Sequence, residues 1–190
     1  PSRMINKNLE EKIINKIIKP TLKALKDLGC EYKGFLYAGL MIVENEPYLI
    51  EYNVRMGDPE CQTILPRLKT NFVDILIAYS QNRLSEINIK WHKKKSLCIV
   101  LCSKGYPDKY INNSLIKNIK KIKIDTNEYV YHAGTVKKEN KIFSSGGRVL
   151  NLVALSNNFK DSRNKCFKLI KNLDWSNGFY RKDIGYKVIN

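Results

Sequence analysis

The chain has 190 residues, of which 43% are hydrophobic and 27% charged, a composition typical of globular proteins that excludes wholesale disorder. Its 34 Lys and Arg outnumber 18 Asp and Glu, giving a net charge of +16. No apolar run approaches the roughly 20 residues needed to cross a bilayer, and no signal peptide is visible. We therefore expect a cytoplasmic protein without a membrane partner. Because the first residue is Pro rather than Met, residue 1 is not expected to be the natural start.

The basic charge has two interpretations. One is a polyanionic partner, such as nucleic acid or a phosphate-rich substrate. The other is compositional drift, because the abundant residues Lys, Asn and Ile all have AT-rich codons, and Lys rather than Arg dominates. The five cysteines are scattered and form no C-x-x-C pair, so neither a disulfide framework nor a zinc site is predicted.

The N-terminal half predicts helices around a hairpin. Residues 7–29 have a helical period of apolar side chains, which Pro20 should kink and Gly29 should end. Strand-like runs at 35–43 and 47–55 enclose a short polar turn, which predicts an antiparallel hairpin. After a break at residues 57–59, the helical period returns over 60–83.

A polar stretch over 86–95 ends in three lysines and indicates a domain boundary. We therefore predict one domain over residues 1–88 and a second over residues 89–190. The second domain should contain short strands and one amphipathic helix over 158–172, so the fold class is α+β. The strands are predicted at 96–103, 116–124, 129–135, 141–145 and 148–155.

The densest group of reactive side chains lies at residues 51–60. On a strand, Glu51, Asn53 and Arg55 share one face because side chains alternate. A carboxylate and an amide oxygen side by side suit Mg²⁺, and a neighbouring guanidinium can stabilise phosphoryl charge. Asp58 and Glu60 add two carboxylates in the following turn. The alternative is the polar face of an edge strand followed by an ordinary turn.

Residues 35–43 and 48–69, which include the R-x-G-D-P-E pattern at 55–60, closely resemble the phosphoribosylamine–glycine ligase family, ATP-grasp enzymes of purine biosynthesis. Four later stretches agree with the family in order. The one departure is Met56, where the family usually carries Phe or Leu. The four stretches are LCSKGYP (101–107), HAGT (132–135), SSGGRVL (144–150) and YRKDIG (180–185).

The resemblance implies a fold and a partial enzyme. Residues 1–88 would be the last part of an ATP-grasp domain, with antiparallel strands and helices. Residues 89–190 would be a small, mainly antiparallel β C-terminal domain with one or two helices that closes over the active cleft. The family enzyme is more than twice as long, so the chain would be a fragment or the product of a split or decayed gene. Alone, it is expected to be inactive.

The resemblance also implies the site. Glu51 and Asn53 match ligands of Mg²⁺ or Mn²⁺, Asn53 and Arg55 match ATP-binding positions, and Arg55, Asp58 and Glu60 match catalytic positions. ATP-grasp enzymes often carry another metal-binding carboxylate about twelve residues upstream of such a glutamate. Gly39 occupies that position here, so a second metal would need other ligands or water.

The implied reaction joins glycine to 5-phosphoribosylamine. The glycine carboxylate attacks the γ-phosphate of ATP, and the amine then displaces phosphate from glycyl phosphate. The implied partners are these small molecules and the missing N-terminal part of the enzyme, with no specific nucleic acid. The alternative function is a non-catalytic basic module that binds RNA or another polyanion.

Each of the weaker motifs has two possible interpretations. Residues 144–148 could form an anion-binding nest of backbone N–H groups or a hairpin turn that needs glycine at positive φ. His132 is either a hydrogen-bonded structural residue or a general base. Arg181 and Asp183 are either a structural ion pair or an edge of the active site, and Arg148 has no assigned role.

Overall fold

The structure, a computed structural model, describes residues 5–189. It confirms the α+β class, and the chain divides into two compact units at residues 1–58 and 59–190. The predicted domains at 1–88 and 89–190 were assigned as parts of two domains of a longer enzyme, and this division stays a prediction. Within residues 5–189, every helix is too short or too polar to span a membrane.

The first unit begins with the predicted helical region. It consists of α1 (Lys7–Ile13), a π-helical segment (Ile14–Ile18) and α2 (Lys19–Asp27). Pro20, in the first turn of α2, lacks an N–H, and the wide π-helical turn directly before it accommodates this. Gly29 has φ +79° and ends the helix as predicted. Its N–H donates to the Lys26 carbonyl, and the Cys30 N–H donates to the Leu25 carbonyl.

The predicted hairpin is confirmed as β1 (Tyr37–Val43) and β2 (Glu46–Asn53), which are antiparallel. Glu44 and Asn45 both have positive φ, as the two central residues of a tight hairpin turn require. The register shifts once along the pair, because Gly39 lies opposite Glu51 whereas the next residue, Leu40, lies opposite Leu49. Ile50 is therefore the extra residue of a β-bulge.

The second unit begins with a helical region that is interrupted. It forms α3 (Glu60–Ile64), a 3₁₀ turn (Leu65–Arg67) and α4 (Phe72–Ser80). The prediction of a helical period over 60–83 was wrong about continuity. Pro66 lies in the 3₁₀ turn, and the Asn71 side chain caps α4 by accepting from the Val73 N–H. A further 3₁₀ turn covers Leu84–Glu86.

The remaining strands form two antiparallel sheets. The elements after α4 are, in chain order, β3 (Lys95–Ser103), β4 (Leu115–Ile116), a 3₁₀ turn (Ile119–Lys121), β5 (Glu128–His132), β6 (Thr135–Lys138), β7 (Lys141–Ser144), β8 (Arg148–Ser156), α5 (Phe159–Lys171), β9 (Gly178–Phe179) and α6 (Tyr186–Ile189). One sheet has the strand order β5-β8-β3-β9 and the other the order β4-β7-β6.

The core of the second unit lies between β3, β8 and α5. Ile99, Leu152 and Leu169 are fully buried there. The Cys166 thiol on α5 lies 3.3 Å from the Leu152 carbonyl, and burial raises the pKa of this thiol to about 12. It therefore stays protonated near neutral pH and acts as a small apolar side chain.

The prediction of a strand at 116–124 was wrong, because only its first residue, Ile116, belongs to a strand. After β4, Asn118 has φ +61° and the 3₁₀ turn follows, so the chain leaves the extended conformation. Ile119 and Ile122 nevertheless pack against the core. The alternation of apolar and basic residues reflects one-sided packing of an irregular segment rather than a strand.

Candidate active site

Glu51 and Asn53 lie side by side at the end of β2. The Asn53 Nδ2 donates a hydrogen bond to Glu51 Oε1 over 3.1 Å, which confirms that the two side chains share one face of the strand. Glu51 is exposed and Asn53 is half-buried. Asn53 Oδ1 and Glu51 Oε2 take no part in this hydrogen bond. They are two hard oxygen atoms of the kind that coordinate a cation such as Mg²⁺.

Tyr52, between these two residues, anchors the strand to the helices of the first unit. Its hydroxyl lies 2.6 Å from Thr21 Oγ1 and 3.4 Å from the Ile17 carbonyl, in the region where the π-helical segment passes into α2. Because neighbouring side chains on a strand point to opposite faces, this contact directs Glu51 and Asn53 away from the helices.

Arg55 lies outside the strand, because β2 ends at Asn53 rather than at residue 55. The same-face argument from alternation therefore does not apply to Arg55, and that part of the prediction was wrong. Its guanidinium is exposed, and Nη1 donates to the Met56 carbonyl over 2.9 Å. Asp58, the last residue of the first unit, is also exposed.

Glu60 belongs to the second unit and is the first residue of α3. It is half-buried beside a cavity of about 270 Å³ that Thr63, Ser96 and Cys98 also line. A carboxylate in the first turn of a helix interacts favourably with the helix dipole. Its predicted catalytic role stays a prediction, as do the roles of Arg55 and Asp58.

The donor set at Glu51 and Asn53 fits a magnesium ion that takes most of its ligands from elsewhere. One carboxylate and one amide oxygen are hard ligands, and Mg²⁺ is usually bound by one or two carboxylates together with waters and substrate phosphates. Among residues 5–189, no group of three or more His, Cys, Asp or Glu side chains could hold a metal by itself. The metal assignment stays a prediction.

Three of the motifs that carried the family resemblance meet in the second unit. Ser103 donates through its hydroxyl to the Gly146 carbonyl over 2.8 Å, and through its backbone N–H to the Gly147 carbonyl over 2.8 Å. The Gly134 N–H donates to the Arg148 carbonyl over 2.9 Å. The three stretches are separate along the chain, and the pairing of strands in the sheets brings them together.

Neither interpretation of residues 144–148 was right. A hairpin is excluded because β7 and β8 belong to different sheets. Neither Gly146 nor Gly147 has a positive φ, whereas a nest or such a turn was expected to need one. They instead permit close packing, because a Cβ at Gly147 would lie 2.2 Å from the Tyr106 ring and one at Gly146 would lie 3.2 Å from the Gly134 Cα.

The other uncertain side chains have local partners. The His132 Nδ1 lies 2.9 Å from Thr135 Oγ1, which favours the structural interpretation. The Arg181 Nε donates to Asp183 Oδ1 over 3.0 Å, and this ion pair lowers the pKa of the Asp183 carboxyl. Arg148 lies opposite Cys102 in the β3–β8 pair. Burial raises the pKa of the Cys102 thiol, and Arg148 opposes that effect.

Two family models match the chain, the first covering residues 1–58 and the three residues after them, the second wholly within residues 59–190. The ATP-grasp (A) domain of phosphoribosylglycinamide synthetase matches residues 1–61, and the C domain of the same enzyme matches residues 96–187. The first match defines the class of protein as ATP-grasp, and the residues around Glu51 and Asn53 fall within it.

Known relatives agree along nearly the whole chain. A phosphoribosylamine–glycine ligase from Caldanaerobacter subterraneus subsp. tengcongensis is 42% identical over 184 residues, which are 97% of this chain and 43% of the relative. The crystal structure of the corresponding ligase from Thermotoga maritima has a TM-score of 0.81 and 28% identity, covering 95% of this chain and 44% of that chain. The chain thus spans less than half the length of these relatives, and it belongs to the phosphoribosylamine–glycine ligase family.

The likeness extends to the fold of a more distant enzyme. The biotin carboxylase subunit of pyruvate carboxylase has a TM-score of 0.62 over 98% of this chain, at 12% identity. At this identity the likeness concerns the fold alone.

Proposed function

We propose that the chain forms the metal-binding strand and the closing domain of a phosphoribosylamine–glycine ligase, which joins glycine to 5-phosphoribosylamine at the expense of ATP. The observation that carries the proposal is the Asn53–Glu51 hydrogen bond, which pairs two oxygen ligands on one strand in a chain 42% identical to such a ligase. The cytoplasm as the place of action stays a prediction.

The proposed roles follow from charge. Glu51 and Asn53 hold a divalent cation, Mg²⁺ or Mn²⁺, which when bound neutralises charge on the phosphates of ATP. Arg55, whose guanidinium is exposed, stabilises the phosphoryl group during its transfer to the glycine carboxylate through its positive charge. Because the resulting acyl phosphate is already activated, the amine of phosphoribosylamine attacks its carbonyl carbon directly and phosphate leaves. Catalysis therefore needs positioning and charge neutralisation rather than a protein nucleophile.

The surface of the first unit supports a role within a larger protein. The exposed fraction is 53% for Met41, 63% for Ile50 and 72% for Val54, all on or just after the two strands of the hairpin. A two-stranded sheet is marginally stable in water by itself, and exposed apolar groups of this kind commonly mark interaction surfaces. Further protein covering the hairpin would explain both features.

A chimera tests the proposal. This chain replaces the matching portion of the Caldanaerobacter ligase, and formation of ADP that depends on both glycine and phosphoribosylamine is measured. We expect activity from the chimera and none from the 190-residue chain alone. A chimera that folds, as judged by a cooperative melting transition, but makes no product would refute the proposal.

A further inference from the structure

The basic charge of the chain is confined to one of its two compact units. Residues 1–58 contain nine Lys and Arg against eight Asp and Glu, whereas residues 59–190 contain 25 against 10. Drift towards AT-rich codons would act along the whole chain, so it does not by itself explain this asymmetry. Charge asymmetry between parts of a chain is a recognised sign of an anionic partner.

Part of this charge surrounds a polar cleft of about 420 Å³ at one end of the four-stranded sheet. Four segments form its walls: the residue before β3, the residue before β5, the residues around the end of β8, and the first two turns of α5. The volume lies within the range of small-molecule sites. The polar groups that the argument uses are Lys94, Asn127, Ser156, Asp161, Asn164 and Lys165.

Both lysines of the cleft are held in place. The Lys94 Nζ donates to Asn127 Oδ1 over 3.0 Å. The Lys165 Nζ lies 3.8 Å from Glu128 Oε1, and the Glu128 side chain is only 1% exposed. The second Glu128 oxygen, Oε2, accepts from the Asp125 N–H over 3.2 Å. Positioned cations lose less conformational entropy on binding an anion than freely moving surface lysines do.

The third charged group in the wall has an opposite sign. Asp161 is exposed, and its carboxylate accepts from Asn158 Nδ2 over 2.8 Å. Lys93 and Lys95 flank the wall residue Lys94, and Lys160 precedes the wall residue Asp161; all three are exposed. The cations therefore outnumber the acids at the cleft, even when Glu128, the partner of Lys165, is counted with Asp161.

We propose that this cleft, which shares no residue with the Glu51–Asn53 pair, binds a small phosphate-bearing ligand through Lys94 and Lys165. Ammonium groups and amide N–H donors are the chemistry that phosphate oxygens require. The residues lining the cleft include no aromatic side chain, although single-stranded nucleic acids are usually bound by stacking on such rings. A compact anion fits the cleft better than a polynucleotide.

The test is a titration of the 190-residue chain with inorganic tripolyphosphate, orthophosphate and a 20-nucleotide single-stranded RNA, followed by amide NMR shifts. We expect tripolyphosphate to shift resonances of residues 94, 127, 156–157 and 164–165, and Lys94→Gln to weaken binding about tenfold. Lys141→Gln, which removes the same charge from an exposed position on β7, is the matched control and should change binding less than twofold.

A second variant has the opposite expected sign. Asp161→Asn removes the acid from the wall while keeping its shape, so tripolyphosphate should bind severalfold more tightly. Equal effects of Lys94→Gln and Lys141→Gln, or shifts spread over all basic surfaces, would overturn the site in favour of general electrostatic attraction. Tight RNA binding without tripolyphosphate binding would overturn it in favour of a polynucleotide partner.

Discussion

Gly39 lies directly opposite Glu51 in the β1–β2 pair, and a Cβ at residue 39 would lie only 3.1 Å from Glu51 Cγ. The absence of a side chain at Gly39 therefore leaves the space that the Glu51 side chain occupies. The β-bulge at Ile50 adjoins this pair, so the geometry around the candidate metal ligand depends on both strands.

Gly39→Ala should displace the Glu51 carboxylate by a few tenths of an ångström, because the added methyl group is closer than ordinary van der Waals contact. In the active chimera, we expect the Mg²⁺ concentration for half-maximal activity to rise about tenfold, since groups that orient metal ligands have effects of that order. An unchanged Mg²⁺ dependence would show that Glu51 tolerates the displacement or is not a ligand.

Glu51→Gln keeps the shape of the side chain and removes its charge. In the chimera, the loss of a negative ligand should reduce turnover about 100-fold or more, since a few kcal/mol of transition-state stabilisation are involved. Glu44→Gln, in the hairpin turn, is the matched control and should stay close to the unmodified chimera. Activity of the Glu51 variant within threefold of the unmodified chimera at limiting Mg²⁺ would refute the ligand assignment.

Glu46 should make the first unit sensitive to acid. Hydrogen bonds from Lys12 and Lys16 lower the pKa of its carboxyl from 4.5 to about 2. Because the pKa is lowered in the folded state, the stabilisation is complete above pH 4.5 and is lost as the pH falls towards 2.

The measurement is the free energy of unfolding between pH 6 and pH 2 for the original chain and for Glu46→Gln. The difference between the two should be largest above pH 4.5 and shrink towards pH 2. Replacing both Lys12 and Lys16 by Met should also reduce the pH dependence of the free energy of unfolding. A difference that stays constant with pH would contradict the role of this ion pair.

Gly134→Ala should destabilise the meeting point of the motifs in the second unit. A Cβ there would lie 2.8 Å from both the Arg148 carbonyl oxygen and the Gly146 Cα, and backbone atoms cannot easily move away. We expect the free energy of unfolding, measured by urea denaturation, to fall by about 1–3 kcal/mol, the usual cost of overpacking. Gly146→Ala, with its nearest contact at 3.2 Å, should cost less, and the reverse order would contradict this packing argument.

Binding of nucleic acid should be weak and indifferent to sequence. Non-specific contacts release counterions, so the affinity for unrelated RNA and DNA oligomers should fall linearly with salt on a log–log plot. We expect a Kd no tighter than roughly 10⁻⁶ M at physiological salt. Tight, salt-resistant binding to one oligomer would instead favour the basic-module function.

Local sequence signals determined much of the fold and the core of the candidate site. Side-chain alternation placed Glu51 and Asn53 on one face, and their hydrogen bond confirms it. The helical period and Gly29 predicted the helical region and its end, and the amphipathic pattern predicted α5. These features depend on residues close together in the chain, whose conformational preferences are expressed locally.

Only the tertiary structure decided the features that depend on distant residues. Gly39 and Glu51, Gly134 and Gly146, and Lys165 and Glu128 are each brought together by strand pairing or helix packing. The alternation over 116–124 was misleading because packing against the core, rather than extended conformation, produced it. The partners of a side chain across a sheet or under a helix are set by long-range register, which local preference does not encode.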